Sequence, residues 1–554
     1  MLIADREYLV IGAATAPAPD LDASVRAALA KLALRAGPHG QHGRNGHVVA
    51  EPTAAVRRTW FDTFDWRLHK AGLCLSLVQL GRAKGASTHL RLTSSTDVVT
   101  VPTAEPTGVR MGFPSDALVP PGVLRSRLDR VVEMRALLPV ATLRTAAVTY
   151  RVLNDDEKTV TRVVVERATG VGTGTASSRA VDIAPRVSVV TSRGYEAEAA
   201  AVARVVAKIP GLTTADQSMA VQAMAAIARV PGDYSGKLDV PLDADLATDD
   251  AVRRVLRASL DTAHANLAGV TADLDTEFLH DLRVAVRRGR TTLKVTAGAL
   301  PAAEATAAGT ALKWLGDATT PTRDLDVYLL GLDDLAGEVG TPGWNVAHLE
   351  PFRAFLLGRR ASEQAVLVRS LRGARAKRAF AAWAAAANPV TSHLPSPSPL
   401  PPHIGAVAKK SVRRVFRSVI KRGSLITGDS PASDLHDLRK RCKELRYTLE
   451  IFAALHDPAA HRSLVDDLKK LQDCLGEFQD TEVQQHAIRQ FAEDMLAGAG
   501  ADPTTVDAVM AMGRLADRLE EHQAAARTRF AQLFDGFAGP GPRSHLGALY
   551  EPAS

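Results

Sequence analysis

The chain has only three cysteines in 554 residues, Cys74, Cys442 and Cys474, too scattered for a disulfide framework. None sits in a C-x-x-C pair or beside histidines at metal-site spacing, so no zinc site and a reducing interior are expected. Aromatic residues are 5% of the chain and do not interleave with the basic ones, which weakens any reading as a single-strand nucleic-acid binder gripping by base stacking. No run of about 18 apolar residues occurs, so no membrane span is expected. The opening MLIADREYLV is charged by its fifth residue and has no apolar signal core. Together these absences predict a soluble, cytoplasmic protein without a cofactor.

What is present is length, positive charge and repetition. A chain of 554 residues is too long for one hydrophobic core, so two or three domains are expected. The net charge of +7 favours a polyanionic partner: inorganic polyphosphate, nucleic acid or anionic lipid. The fold class expected is α+β and multidomain. Residues 1 to about 200 show short apolar runs between turn signals, predicting strands at 72–80, 89–93, 97–101, 146–153, 159–166 and 186–191. A helix is expected over 23–35, with loops at 37–46 and 168–178. The plan is a β-rich domain over 1–230, a linker over 231–247 and a first helical bundle over 248–387. A Pro/Ser linker over 388–402, a second bundle over 403–540 and a loose tail over 541–554 complete it. Within the first bundle, TTPTRDLDVYLL is expected to join two helices, Asp324 and Asp326 serving as caps or arginine partners. Residues 352–382 read as one long Arg-rich helix whose charges are mostly solvated, and 506–534 as the last helix.

The repeat is the strongest signal. FLHDLRVAVRRGRTTLK (Phe278 to Lys294) returns 156 residues later as LHDLRKRCKELRYTLE (Leu435 to Glu450). At the same offset LKWLGDATTPTRDLDV lands on LKKLQDCLGEFQDTEV, setting Lys313 on Lys469. Two motifs held at one spacing are an internal duplication. His280, Arg283, Arg287 and Arg290 correspond to His436, Arg439, Lys443 and Arg446. On a helix these positions fall within about 80° of arc, while the leucines between them form a separate apolar stripe. One basic helix face is usually just solvated. The same four positions kept twice point to a binding surface. The outer positions change sign between copies (Arg288 against Glu444, Lys294 against Glu450) and read as drift. A second helix repeats too: Arg253, Arg254 and Arg257 of VRRVLRASL match Arg413, Arg414 and Arg417 of VRRVFRSVI, as snorkelling surface arginines or as further phosphate contacts.

HDLRVAVRR and HDLRKRCKELRY, each followed by an L-K-x-L segment and R-D-L-D or its weaker counterpart, resemble the CHAD domain over about residues 240–545. The resemblance implies two pseudo-symmetric helical bundles around a basic central pore or groove. It also implies non-catalytic binding of inorganic polyphosphate, with localisation at polyphosphate granules. Arginine suits such a ligand because its planar fork meets phosphate oxygens in pairs. His280 and His436 either bond phosphate or orient their neighbours.

WFDTFDWRLHKAGLCLSL (Trp60 to Leu77), with Asp5-x-Glu7 before it and SRGYEAE after it, is similar to the signatures of CYTH domains, the triphosphate tunnel enzymes. That implies an antiparallel β-barrel or tunnel. Such a tunnel needs carboxylates for Mg²⁺ or Mn²⁺ and inward cations for phosphate. Asp5, Glu7 and Glu166 remain as metal candidates. Leu9, Ser76, Val78, Ala146 and Ala147 stand where the family has cations, with Arg91 the one retained. The domain is therefore expected to be inactive. The alternatives are residual triphosphatase or nucleotide cyclase activity there, or nucleic-acid binding by the basic faces.

Overall fold

The computed structural model describes residues 4–10, 20–32, 47–81, 87–94, 98–103, 119–154, 156–173, 183–339, 345–388, 403–499 and 502–550, the first segment by its backbone. The chain divides into two compact units, residues 1–235 and 236–554.

The first unit is built on one antiparallel sheet of ten strands among the described residues. They are β1 (Ala4–Val10), β2 (His47–Ala50), β3 (Ala54–Asp62), β4 (Cys74–Leu80), β5 (Ser87–Thr93), β6 (Val98–Pro102), β7 (Leu138–Leu153), β8 (Thr159–Gly172), β9 (Arg186–Thr191) and β10 (Leu212–Thr214). The order β10-β1-β9-β8-β7-β3-β4-β5-β6 curls into a half-barrel, β2 sharing the length of β7 with β3. Helices α1 (Leu21–Ala30), α2 (Arg67–Lys70), α3 (Val123–Val132), α4 (Glu196–Val206) and α5 (Met219–Ala225) cover it. Val25, Leu29, Val202 and Val206 of α1 and α4 bury Tyr150, Val163 and Val187 of the sheet. The predicted loop over 168–178 begins too early, because β8 continues to Gly172 in register with β7. Strands β2 and β3 were not among those predicted.

The aspartate signature has a local structural job. The Asp62 carboxylate accepts the backbone N–H groups of Thr63 (2.7 Å), Leu68 (2.9 Å) and His69 (2.9 Å). The Thr63 hydroxyl accepts the Arg67 N–H at 2.9 Å and donates to Asp65 at 2.7 Å. Both side chains thus organise the turn into α2, which satisfies amides that a helix start leaves open.

The second unit is helical: α6 (Thr248–Ala272), α7 (Thr276–Val295), α8 (Ala302–Gly337), α9 (Glu350–Arg372), α10 (Ala374–Ala387), α11 (Ile404–Gly423), α12 (Ala432–Ile451), α13 (Pro458–Ala499), α14 (Pro503–Ala538) and α15 (Pro540–Ala548). The duplication is visible helix by helix: α6 with α11, α7 with α12, α8 with α13, and α9–α10 with α14. Several expectations are corrected. Residues 319–330 do not join two helices, since α8 runs unbroken through Pro321. The Gly316 carbonyl one turn before the proline accepts the Thr319 and Thr320 hydroxyls (both 2.9 Å) and Arg283 (3.2 Å). Asp326 is mid-helix, so of its two expected roles it takes the second, accepting Arg360 at 2.8 Å rather than capping. The helix expected over 352–382 is two, broken at Gly373. The described part of the tail, 541–550, is not loose: most of it lies in α15, and Leu549 is buried in the core. Nor is 231–247 wholly a linker, because Leu238, Val240, Leu242 and Leu246 pack into that same core. Most of 388–402 lies outside the described residues.

Candidate functional site

The repeated helices α7 and α12 pack against each other antiparallel, and the contact is reciprocal. Arg288 pairs with Glu450 (3.3 Å) and Lys294 with Glu444 (2.7 Å). These are the four positions that read as drift. Since 288 corresponds to 444 and 294 to 450, the sign change in one copy answers the position it meets in the other. Arg287 completes the contact by donating to the Tyr447 hydroxyl at 2.9 Å and lying over its ring.

The first three positions of both cationic rows face one cleft of about 640 Å³. It is lined by His280, Arg283 and Arg287 of α7 and by His436, Arg439 and Lys443 of α12. Arg323 from α8 and Arg359 from α9 join them, against the carboxylates Asp324, Glu363 and Asp480. Arg287 and Lys443 also line an adjoining cleft of about 730 Å³ with Arg290, Lys294, Arg422, Lys440 and Arg441, where the only carboxylates are Asp437 and Glu444. Cations therefore outnumber acids in each cleft.

The charges are held in place. Arg283 donates to Gly316 O, Thr319 and Thr320 on α8, and Arg439 pairs with Asp480 at 2.9 Å. His436 Nδ1 bonds the Gln479 side chain, which fixes its ring. Crowding and burial shift the charges. Burial, then the neighbouring Arg287, pulls Arg283 down to about 10. Burial, then Arg439 and Arg287, pulls Lys443 down to about 8. Burial raises the Asp324 carboxyl against the pull of Arg283. A polyanion entering here meets positive charge whose mutual repulsion it would relieve.

Not every predicted residue comes to the clefts. Arg446 is drawn aside to Glu450 (3.0 Å), whereas its counterpart Arg290 has Lys294 at that spacing and stays on the cleft wall. Lys313 is exposed and paired with Asp317 (3.2 Å), and Lys469 is exposed on α13. Arg253 is buried, its guanidinium donating to Ala386 O (3.0 Å), Asn388 O (2.8 Å) and Glu304 (3.1 Å), so it holds the end of α10. Arg257 bonds the Asn388 side chain, and Arg254, Arg414 and Arg417 are exposed away from both clefts, with Arg413 half-buried. Arg323, Arg359 and Arg422 were missed as wall residues because they arrive from other helices, although Arg323 sat inside the repeated motif.

In the first unit a cavity of about 500 Å³ is lined by Ser76, Val78 and Arg91. Arg58 and Arg162 line it too, so three guanidiniums reach it rather than one. Glu166 is engaged by Arg58 (2.7 Å) and Thr145 (3.2 Å). The side chains of Asp5, Glu7 and Leu9 lie outside the described residues. Among the described residues no group of three or more His, Cys, Asp or Glu is placed to hold a metal. No helix among them is long and apolar enough to cross a membrane.

Two helical bundles that share a cationic cleft define the second unit. Residues 254–489 match the family model of the CHAD domain, so the second unit carries a CHAD domain. The chain is similar to the crystal structure of the CHAD domain from the plant Ricinus communis, at 24% identity and TM-score 0.43, over 57% of this chain and 97% of that one. It is also similar to PptA from Streptomyces chartreusis, at 17% identity and TM-score 0.40, over 52% of this chain and 100% of that one. No curated protein matches the sequence.

Proposed function

We propose that the helical unit binds inorganic polyphosphate, without catalysis, in the paired clefts between α7 and α12, and that this binding places the protein at polyphosphate granules. The observation that carries the reading is the convergence of both repeated rows on one cleft, joined to a second through Arg287 and Lys443. Polyphosphate has a negative charge on every unit and no base to read, so a wall of spaced guanidiniums is sufficient to hold it. Nucleic acid is the weaker ligand. The aromatics at the first cleft, Tyr328 and Phe491, are buried in the core and offer no face for stacking.

Titration of the full chain with long-chain polyphosphate tests this. If about eight cations are engaged, the log–log salt slope should be about −5 to −6. The pair Arg287→Ala with Lys443→Ala should weaken binding about ten- to twenty-fold near physiological salt and flatten the slope by about 1.4. Unchanged affinity and slope in a folded variant would remove the clefts from the site.

The first unit fits a non-catalytic relative of the triphosphate-tunnel fold. Its half-barrel supports the resemblance, while Asp62 and Thr63 serve a turn and Glu166 is tied to Arg58. The full chain should release no phosphate from tripolyphosphate or nucleoside triphosphate with Mg²⁺ or Mn²⁺. Turnover that Glu166→Gln abolishes would reverse this reading.

A further inference from the structure

The two halves of the helical unit match in helices but not in charge. From Gln364 to Asn388, across α9 and α10, there is no Asp or Glu, but there are Arg369, Arg372, Arg375, Lys377 and Arg378. All five are exposed, and none makes an ion pair with a described residue. In the matching stretch of α14, from Asp517 to Ala538, three arginines face four carboxylates. There Arg518 pairs with Glu521 and Arg529 with Glu477. Helix stability does not account for the difference. Arg369 and Arg372, like Arg375 and Arg378, are three apart, where like charges repel rather than support a helix.

The face also connects to the clefts. Gly309 of α8 lines the second cleft beside Arg290 and Lys294. One turn further, about 6 Å along the axis, stands exposed Lys313. Next to it Trp314 carries the Arg375 guanidinium 5.1 Å from its ring centre. From the cleft the path to Arg375 on α10 thus runs past Lys313, which is paired with Asp317 at 3.2 Å, and Trp314.

We propose that the acid-free stretch formed by the end of α9 and by α10 is a second polyphosphate-binding surface, which takes the part of the chain that extends beyond the clefts and makes affinity depend on chain length. The inference rests on the reading of the clefts as a polyphosphate site. Its test compares tripolyphosphate, which the clefts alone can hold, with long-chain polyphosphate, both on the full chain. The variant replaces the five cations by Gln, a good helix former, with circular dichroism confirming the fold. Tripolyphosphate affinity should be unchanged. Long-chain affinity should fall about forty- to three-hundred-fold near physiological salt, and its salt slope should flatten by about 2 to 3. An unchanged long-chain affinity, or an equal loss for both ligands, overturns the second surface while leaving the clefts standing. Loss of single-stranded DNA binding alone overturns it in favour of a nucleic-acid face. Wild-type protein that binds neither phosphate overturns both readings.

Discussion

Lys443 is the residue on which the chemistry of the clefts turns, because it belongs to both and burial brings its ammonium into reach of mild alkali. Held at about 8, it carries its charge below that pH and loses it above. Polyphosphate affinity should therefore fall between pH 7 and 9, by about four-fold for the loss of one contact near physiological salt. Lys443→Arg should abolish the fall, since a guanidinium stays charged throughout. An identical decline in that variant, measured by titration at both pH values, would place the sensitivity elsewhere. The rows on α7 and α12 were legible in the sequence because duplication repeats them against a changing background. Arg323 and Arg359 were not, since nothing in one dimension says that α8 and α9 bring them to the same wall. Arg253 was misread for a similar reason. Its spacing is that of a surface arginine, and only the approach of the end of α10 buries it.

At the scale of elements, the reciprocal pairs between α7 and α12 make a measurable prediction. Arg288 is almost wholly buried, its side chain 8% exposed, so Glu450→Lys should leave it beside a like charge in a poor solvent. That substitution should cost about 2–4 kcal/mol, and adding Arg288→Glu should recover about 1–2 kcal/mol, read by urea unfolding as a double-mutant cycle. Strictly additive effects would mean that the pair contributes nothing. The close approach of α11 and α14 gives a second test. A Cβ on Gly423 would lie 1.9 Å from the Phe534 ring. Gly423→Ala should cost about 1–3 kcal/mol by overpacking, and Phe534→Leu in the same chain should relieve part of it. Helix positions were largely readable from apolar periodicity, whereas helix continuity was not. Pro321 looked like a stop because its local cost is visible in sequence, but the packing that carries α8 through it is not. Gly373 divides α9 from α10 inside a stretch whose composition is helical on both sides.

For the molecule as a whole, the boundary between units lies at 235/236 rather than at the end of the polar stretch. Pro, Gly and Asp gave residues 231–247 the composition of a linker, but Leu242 is buried in the core of the helical unit and Leu238 and Leu246 pack against it. Leu242→Ala should lower the stability of the helical transition by about 2–4 kcal/mol, while Val230→Ala, 65% exposed, should leave it unchanged. Equal, negligible effects would restore the linker reading. The antiparallel contact of α7 with α12 has one more consequence, for sorting. Two first halves brought together that way would set Arg288 against Lys294, and two second halves would set Glu444 against Glu450. Only unlike halves bring opposite charges into register, so each half rejects its own kind and accepts its complement. Joining the two in one polypeptide supplies every first half with one suitable mate, in a fixed ratio and with no surplus of either.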